Sequence, residues 1–394
     1  MKLVIITSRF PFPIEKGDKL RIYHQIRELA QYHDIYLFSL TDCAVQEEFV
    51  AHLREFCKQI HIFRLSKLKI LFSLIASIWS KSPFQVAYFY NKNIANQIFD
   101  KIQELNPDFI YCQLIRTALY AKRLPQLKTI DYMDTFSVGM QRRAKNTSWL
   151  WRWIFDIEAK RLAKFEANIY HDFDHHVIIS EQDRALLTFP EKQHIEIIPN
   201  GVDTHYFDPS KYKNKPTYDL LFVGNMGYYP NVTAAQYIVK EVLPLLPNQT
   251  TLLISGARPS TEVSSLANER VSVSGWIDDI RDAYSNASIF IAPILFGSGQ
   301  QNKILEAMAM GIPCITTSLV NNAIGAKPNE EILIADTPQQ FVHHILAIKN
   351  NEINAQTIAA QARNFVIKNY SWQNAVNSLN NILIGNNQNG RNKI

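Results

Sequence analysis

The residue types that could do chemistry gather in one stretch, Gly297-Ser-Gly-Gln-Gln-Asn-Lys303-Ile-Leu-Glu306. Glycines at a strand-to-helix turn leave backbone N–H groups free, and the positive end of the helix dipole points at the same spot. Ser298, Gly299, Gln300, Gln301 and Asn302 lie along that turn, and Lys303 adds a full charge within the first helical turn. A phosphate group fits there. Glu306 follows about one turn later, near enough to accept hydrogen bonds from hydroxyls attached to that phosphate. Ile304, Leu305 and Met308 form the buried side of the helix. Phosphate beside sugar hydroxyls describes a nucleotide sugar, although strand, glycine turn and helix also recur in open α/β sheets that bind nothing at that point.

The elements that must position this stretch follow from hydrophobic periodicity. The β-branched run 288–294 reads as a buried strand that opens directly into the turn. Apolar runs at 3–7, 34–39, 59–64, 109–113, 128–133 and 175–179 alternate with helix-length segments, as a doubly wound parallel sheet requires. A second succession begins at 219–223 and continues through 251–255 and 271–274. A length of 394 residues with 47% hydrophobic content predicts two α/β domains, each with its own core. No Gly-x-Gly-x-x-Gly follows the first strand, which argues against an NAD-dependent oxidoreductase.

The string Pro293-Ile-Leu-Phe-Gly-Ser-Gly-Gln-Gln-Asn-Lys-Ile-Leu-Glu306-Ala-Met-Ala-Met-Gly-Ile-Pro313 resembles the carboxyl-terminal signature of the family 4 retaining glycosyltransferases. Pro199-Asn-Gly-Val-Asp203, and the first loop Phe10-Pro-Phe-Pro-Ile-Glu-Lys-Gly17-Asp-Lys-Leu-Arg21, are similar to that family as well. The resemblance implies the GT-B architecture, two facing Rossmann-like domains with a cleft between them. It implies that Glu306 binds the donor's ribose hydroxyls and that Gly17 permits close backbone approach to donor or acceptor. Taken alone, Gly17 reads first as a helix-entry glycine, and its position after the first strand brings the two readings level. Many members carry another Glu, eight positions before the ribose Glu, that contacts the donor sugar; here that position is Ser298. In the segment starting at Gly224, Asn225 stands where members place a pyrophosphate-binding Arg, so Lys303 and the turn amides are left to carry the phosphate charge, with Arg258 a candidate helper. Trp276 and Ile277 resemble the segment that lines the base pocket, core packing of the indole being the alternative. Asp134, closing Thr129-Ile-Asp-Tyr-Met-Asp134, is the candidate for an acceptor hydroxyl or its proton, or else a helix cap.

The expected organisation is an amino-terminal acceptor-side domain over 1–208, a linker at 209–217, and a nucleotide-sugar domain over 218–370. A final helix over 371–385 crosses back to the first domain, and a disordered tail occupies 386–394. The resemblance implies a hexosyl transfer from a nucleotide diphosphate sugar to a hydroxyl acceptor, with retention of configuration and no cofactor, in cell-surface polysaccharide or glycan assembly. Two alternatives stay open: a catalytically weak nucleotide-sugar-binding partner subunit, and a GT-B sugar-nucleotide epimerase.

The charge of +5, from 41 basic and 36 acidic residues, is too mild and dispersed to point to nucleic acid. Cys43, Cys57, Cys112 and Cys314 lack metal or disulfide spacing, so buried thiols in a reducing cytoplasm are expected. His171-Asp-Phe-Asp-His175-His176 invites a metal reading, yet His175 and His176 begin a strand and face opposite sides. The start enters a strand without a signal-peptide pattern. The apolar run 70–79 is about half the length of a bilayer span and is flanked by Lys67, Lys69 and Lys81. That run, and the helix expected over 147–171 with Trp149, Trp151 and Trp153, are candidate membrane-interface segments. They would place the protein peripherally on the inner face of the cytoplasmic membrane, near a lipid-linked glycan acceptor.

Overall fold

Every residue in the middle of β1 (Lys2–Thr7) is apolar because both faces of its sheet are covered. Leu3 and Ile5 enter one core, and Val4 and Ile6 enter another. The structure is a computed structural model that describes residues 1–14, 16–145, 147, 149–212, 216–296 and 300–390. The chain divides into two units, Met1–Pro199 with Ala375–Ile394, and Asn200–Asn374.

In the first unit, β2 (Asp34–Thr41), β3 (Cys57–Arg64), β4 (Phe109–Gln113), β5 (Leu127–Met133), β6 (His175–Ile178) and β7 (Glu196–Ile197) join β1 in a parallel sheet of order β3-β2-β1-β4-β5-β6-β7. The helix Gly17–Leu29 buries Ile22, Ile26 and Leu29 in the same core as Leu3 and Ile5. That core also takes Ala375, Val376, Leu379 and Leu383 from the last helix, Trp372–Gly390. His33 and Asn380 meet beside it, with Nε2 and Oδ1 2.6 Å apart. The helix runs on to Gly390, so the tail expected from 386 is helical over its first turn.

The second unit has its own parallel sheet. Its strands are β8 (Tyr218–Val223), β9 (Leu252–Ser255), β10 (Val271–Gly275), β11 (Ala287–Ala292), β12 (Cys314–Thr316) and β13 (Leu333–Ile334), in the order β10-β9-β8-β11-β12-β13. Reversal of strand order beside β8, with β9 on one side and β11 on the other, creates a switch point at the carboxyl edge, where open α/β sheets bind ligands. The first unit ends at Pro199 rather than at 208, because residues after it are tied to the second unit. Tyr206 and Tyr212 donate to Asp279 at 3.2 and 3.1 Å, and Arg281 lies 3.8 Å from the centre of the Tyr206 ring. Arg281, helped by the Tyr212 hydroxyl, pulls the Asp279 carboxyl down to about 2.

Two smaller expectations are corrected. Cys43 is exposed, in the loop after β2, while the other three cysteines are buried. The segment expected as one helix from 147 begins at Trp149 and runs to Tyr170.

Candidate functional site

The helix Asn302–Ala309 buries Ile304, Leu305, Ala307 and Met308. Lys303 and Glu306 are left half-buried on its other side. Lys303 Nζ donates to Asn231 Oδ1 at 2.9 Å and to Gln301 Oε1 at 3.0 Å. Asn231 passes the connection on, donating from Nδ2 to the Asn225 carbonyl at 3.0 Å. Both hydrogen-bond partners of the ammonium are neutral amides, so an anionic ligand would supply a stronger one. Burial lowers the Lys303 pKa to about 8, with the Glu306 charge opposing that shift.

Glu306 Oε2 accepts from the Tyr284 hydroxyl at 2.9 Å, and that hydroxyl also lies 3.1 Å from the Lys303 carbonyl. Tyr284 is fully buried, so it fixes the orientation of the carboxylate. Burial raises the Glu306 pKa, while the tyrosine hydrogen bond and Lys303 work against that rise.

Glycines after β8 and β9 make room for this arrangement. A Cβ on Gly256, whose φ is +134°, would lie 1.9 Å from the Gly224 carbonyl oxygen. A Cβ on Gly224 would lie 2.7 Å from Asn231 Nδ2. Gly256 admits no side chain because the Gly224 carbonyl is in the way, and Gly224 none while Asn231 bridges Asn225 and Lys303.

The remaining donor candidates divide. Gln300 uses both ends of its amide on Asn200, accepting from its N–H at 3.0 Å and donating to its carbonyl at 2.7 Å. It therefore pins the Pro-Asn-Gly turn. Asn225 accepts the Gly227 N–H at 3.0 Å and so shapes its own turn. Asn302 Oδ1 is buried without a hydrogen-bond partner among the described residues. Trp276 is 65% exposed, which removes core packing as its role, and its indole N–H donates to Asp278 at 3.1 Å. Ile277 packs half-buried against the second unit's core. Arg258 is exposed with φ +55°. Ser298 and Gly299 lie outside the described residues.

In the first unit, Asp134 follows β5 through Met133, a non-glycine residue with φ +62°. A Cβ on Gly17 would meet Met133 Cε at 3.5 Å, so Gly17 and Asp134 share one edge of the sheet. That distance is ordinary contact, and the protein's own packing does not demand glycine at 17. Asp134 Oδ1 has no partner among the described residues. Burial, reinforced by the charges of Asp183, Glu166 and Asp18 and opposed by Arg116, raises its pKa to about 7.

The support for this edge comes from residues that sequence reasoning did not single out. Arg21 and Asp131 are both fully buried and paired at 2.6 Å. Arg21 Nη1 donates to the Ile198 carbonyl at 2.9 Å, and Tyr111 donates to Asp131 at 2.6 Å. The other oxygen of Asp131 accepts the Met133 N–H at 2.9 Å, holding the left-handed turn that projects Asp134. Arg116 donates to Gln85 at 2.6 Å and lies over the rings of Phe89 and Phe136, 5.2 and 4.8 Å from their centres. His176 stacks on Tyr170 at 3.9 Å and donates to its carbonyl, while His175 packs beside Phe109 across the sheet. The histidine pair is packing, with burial lowering the His176 pKa to about 4.

Residues 217–351, most of the second unit, match the family model described as glycosyl transferases group 1. A curated relative from Klebsiella pneumoniae, an uncharacterized 44.6 kDa protein in the cps region, is 20% identical over 96% of this chain and 98% of its own. The UDP-Gal:alpha-D-GlcNAc-diphosphoundecaprenol alpha-1,3-galactosyltransferase of Escherichia coli is 21% identical over 61% of this chain and 65% of its own. Among solved structures, a glycosyltransferase from Rickettsia africae superposes with a TM-score of 0.68 at 16% identity, covering 97% of each chain. The two parallel-sheet α/β domains match in fold those of GT-B glycosyltransferase structures.

Proposed function

We propose that this protein transfers a hexose from a nucleotide diphosphate sugar to a hydroxyl acceptor with retention of configuration, in cell-surface polysaccharide or glycan assembly. One observation carries the reading: Lys303, hydrogen-bonded to neutral amides, and Glu306, oriented by Tyr284, share one side of the helix that follows β11. Lys303 and the amides at the start of that helix take the diphosphate, and Glu306 takes the ribose hydroxyls. Trp276 offers a ring face to the base. In the first unit, Asp134 takes the acceptor hydroxyl.

The acceptor oxygen attacks the anomeric carbon on the face the diphosphate leaves, the C–O bond to phosphate breaks, and the departing phosphate receives the hydroxyl proton. Lys303 stabilises the charge that builds on that phosphate, a preorganised contribution of the kind that dominates many enzymes. The name of the Escherichia coli relative supports a UDP-linked donor and a diphosphoundecaprenol-linked acceptor. A lipid-linked acceptor of that kind supports a working position at the cytoplasmic face of a membrane.

The test is a donor panel read by thermal shift and calorimetry, followed by turnover with lipid-linked acceptors. A UDP-sugar should bind, and product should require acceptor. Lys303→Ala and Glu306→Ala should each weaken donor binding by roughly 1.5–3 kcal/mol, the range for hydrogen bonds to charged groups. Wild-type affinity in both folded variants would refute the site. Donor turnover without acceptor would make the protein an epimerase instead, and binding without turnover a partner subunit.

A further inference from the structure

The helix Lys67–Ser80 is turned inside out. Its inward stripe holds Ile70, Ser73, Leu74 and Ser77, of which Ser73 donates to the Ala87 carbonyl at 2.7 Å and Ser77 to the Leu74 carbonyl at 2.6 Å. Its outward stripe is Leu68, Leu71, Phe72, Ile75, Ile78 and Trp79, at the i, i+3, i+4 spacing that normally marks a buried face. Leu68, Phe72 and Trp79 are 69%, 69% and 75% exposed.

A second exposed stripe lies on the neighbouring helix Trp149–Tyr170. Trp149, Trp153 and Ile157 recur every fourth residue, and Trp149 is 80% exposed. The two helices are fixed to each other at their junction. Arg161 Nη1 donates to the Ser77 carbonyl at 2.9 Å and Nη2 to the Ile78 carbonyl at 3.1 Å, so one side chain satisfies the carboxyl end of the first helix. Glu158 accepts the N–H groups of Phe84 and Gln85 at 2.8 and 2.9 Å, holding the chain that follows. These hydrogen bonds join the two helices that carry the apolar faces.

We propose that these two helices form a docking surface for an anionic lipid bilayer. Charge and side-chain type choose the occupant. The helix Lys67–Ser80 contains no acidic residue, and Lys67, Lys69 and Lys81 bracket its apolar stripe. On the second helix exposed Arg152 stands among the tryptophans, paired with Asp156 at 3.9 Å, and Lys160 is exposed further along. Bulky apolar groups, indoles and cations in one surface match the interface between acyl chains and anionic headgroups. No helix among the described residues is long and apolar enough to cross a membrane, so the helices lie in the interface plane. The proposal stands on these helices alone: a chain that binds vesicles but no donor would keep it and lose the transferase reading.

The experiment is sedimentation of the full chain with vesicles of phosphatidylcholine alone or mixed with phosphatidylglycerol, at low and high salt, with analytical ultracentrifugation alongside. The wild type should partition onto the anionic vesicles and release at high salt. Phe72→Ser with Trp79→Ser, and Trp149→Ser with Trp153→Ser, should each lose about tenfold or more in partitioning, since buried apolar area sets interfacial binding. Lys67→Gln with Lys69→Gln and Lys81→Gln should remove the preference for anionic lipid. Every substituted side chain is exposed, and circular dichroism checks that the fold is kept. Absence of wild-type binding, or unchanged binding in the apolar variants, would overturn the proposal. So would a dimer that the tryptophan substitutions dissociate without any vesicle binding, because the surface would then serve a second copy of this chain.

Discussion

A lysine withdrawn from water keeps its proton less firmly than a solvated one, and a buried carboxyl beside other carboxyls keeps its proton longer. Lys303 titrates near 8 and Asp134 near 7. Phosphate binding needs the lysine charged, and orienting the acceptor by taking a hydrogen bond from its hydroxyl needs the aspartate ionised. The pH profile of kcat/KM, which reports groups in the free enzyme, should therefore rise through about 7 and fall above about 8. Asp134→Asn should remove the acid limb, and Lys303→Arg should push the alkaline limb upward. Persistence of both limbs in both variants would contradict the roles. Lys303 and Glu306 were legible in the sequence because a glycine turn, a charge and a carboxylate lie within one short string. Asn231 and Tyr284, which hold them, were not, since they come from segments 72 and 22 residues away. A hint was present nonetheless: Gly224, Gly256 and Gly275 each stand at the carboxyl end of a strand.

At the scale of elements, periodicity located most strands to within a residue or two, because a sheet buried on both faces reads as unbroken apolar runs. The two-residue β7 and β13 are too short to show a period. What no pattern revealed was how neighbouring elements interlock. Gly256→Ala must move its Cβ away from a carbonyl oxygen 1.9 Å distant, at a φ of +134°. Denaturant unfolding should show a loss of roughly 1–3 kcal/mol or more, the usual scale of backbone strain. Arg21→Met should cost about 3–5 kcal/mol, because it leaves Asp131 charged and buried without its partner. The double variant Arg21→Met with Asp131→Asn should recover part of that loss; equal or greater destabilisation in the double variant would show that the pair is not what Arg21 contributes.

At the scale of the whole molecule, the chain crosses from the first unit to the second after Pro199 and returns at Ala375. Leu379 and Leu383, both fully buried, complete the core that begins with Leu3. Removing residues 375–394 should therefore destabilise the first unit by on the order of 5 kcal/mol, judged from the cost of deleting buried leucines. Calorimetry should show its transition moving down or vanishing while that of the second unit stays. Composition and length announced two units, but the return of the last helix depends on contacts that only folding brings together.

That closure also sets an order of events during synthesis. A core that contains both Leu3 and Leu383 cannot be finished until the last part of the chain has left the ribosome, whereas the second unit has all its strands by Ile334. Domains generally fold from the amino terminus as they emerge. Here the amino-terminal sheet must wait, with one side of its core incomplete, while the later-made unit is the first that can finish.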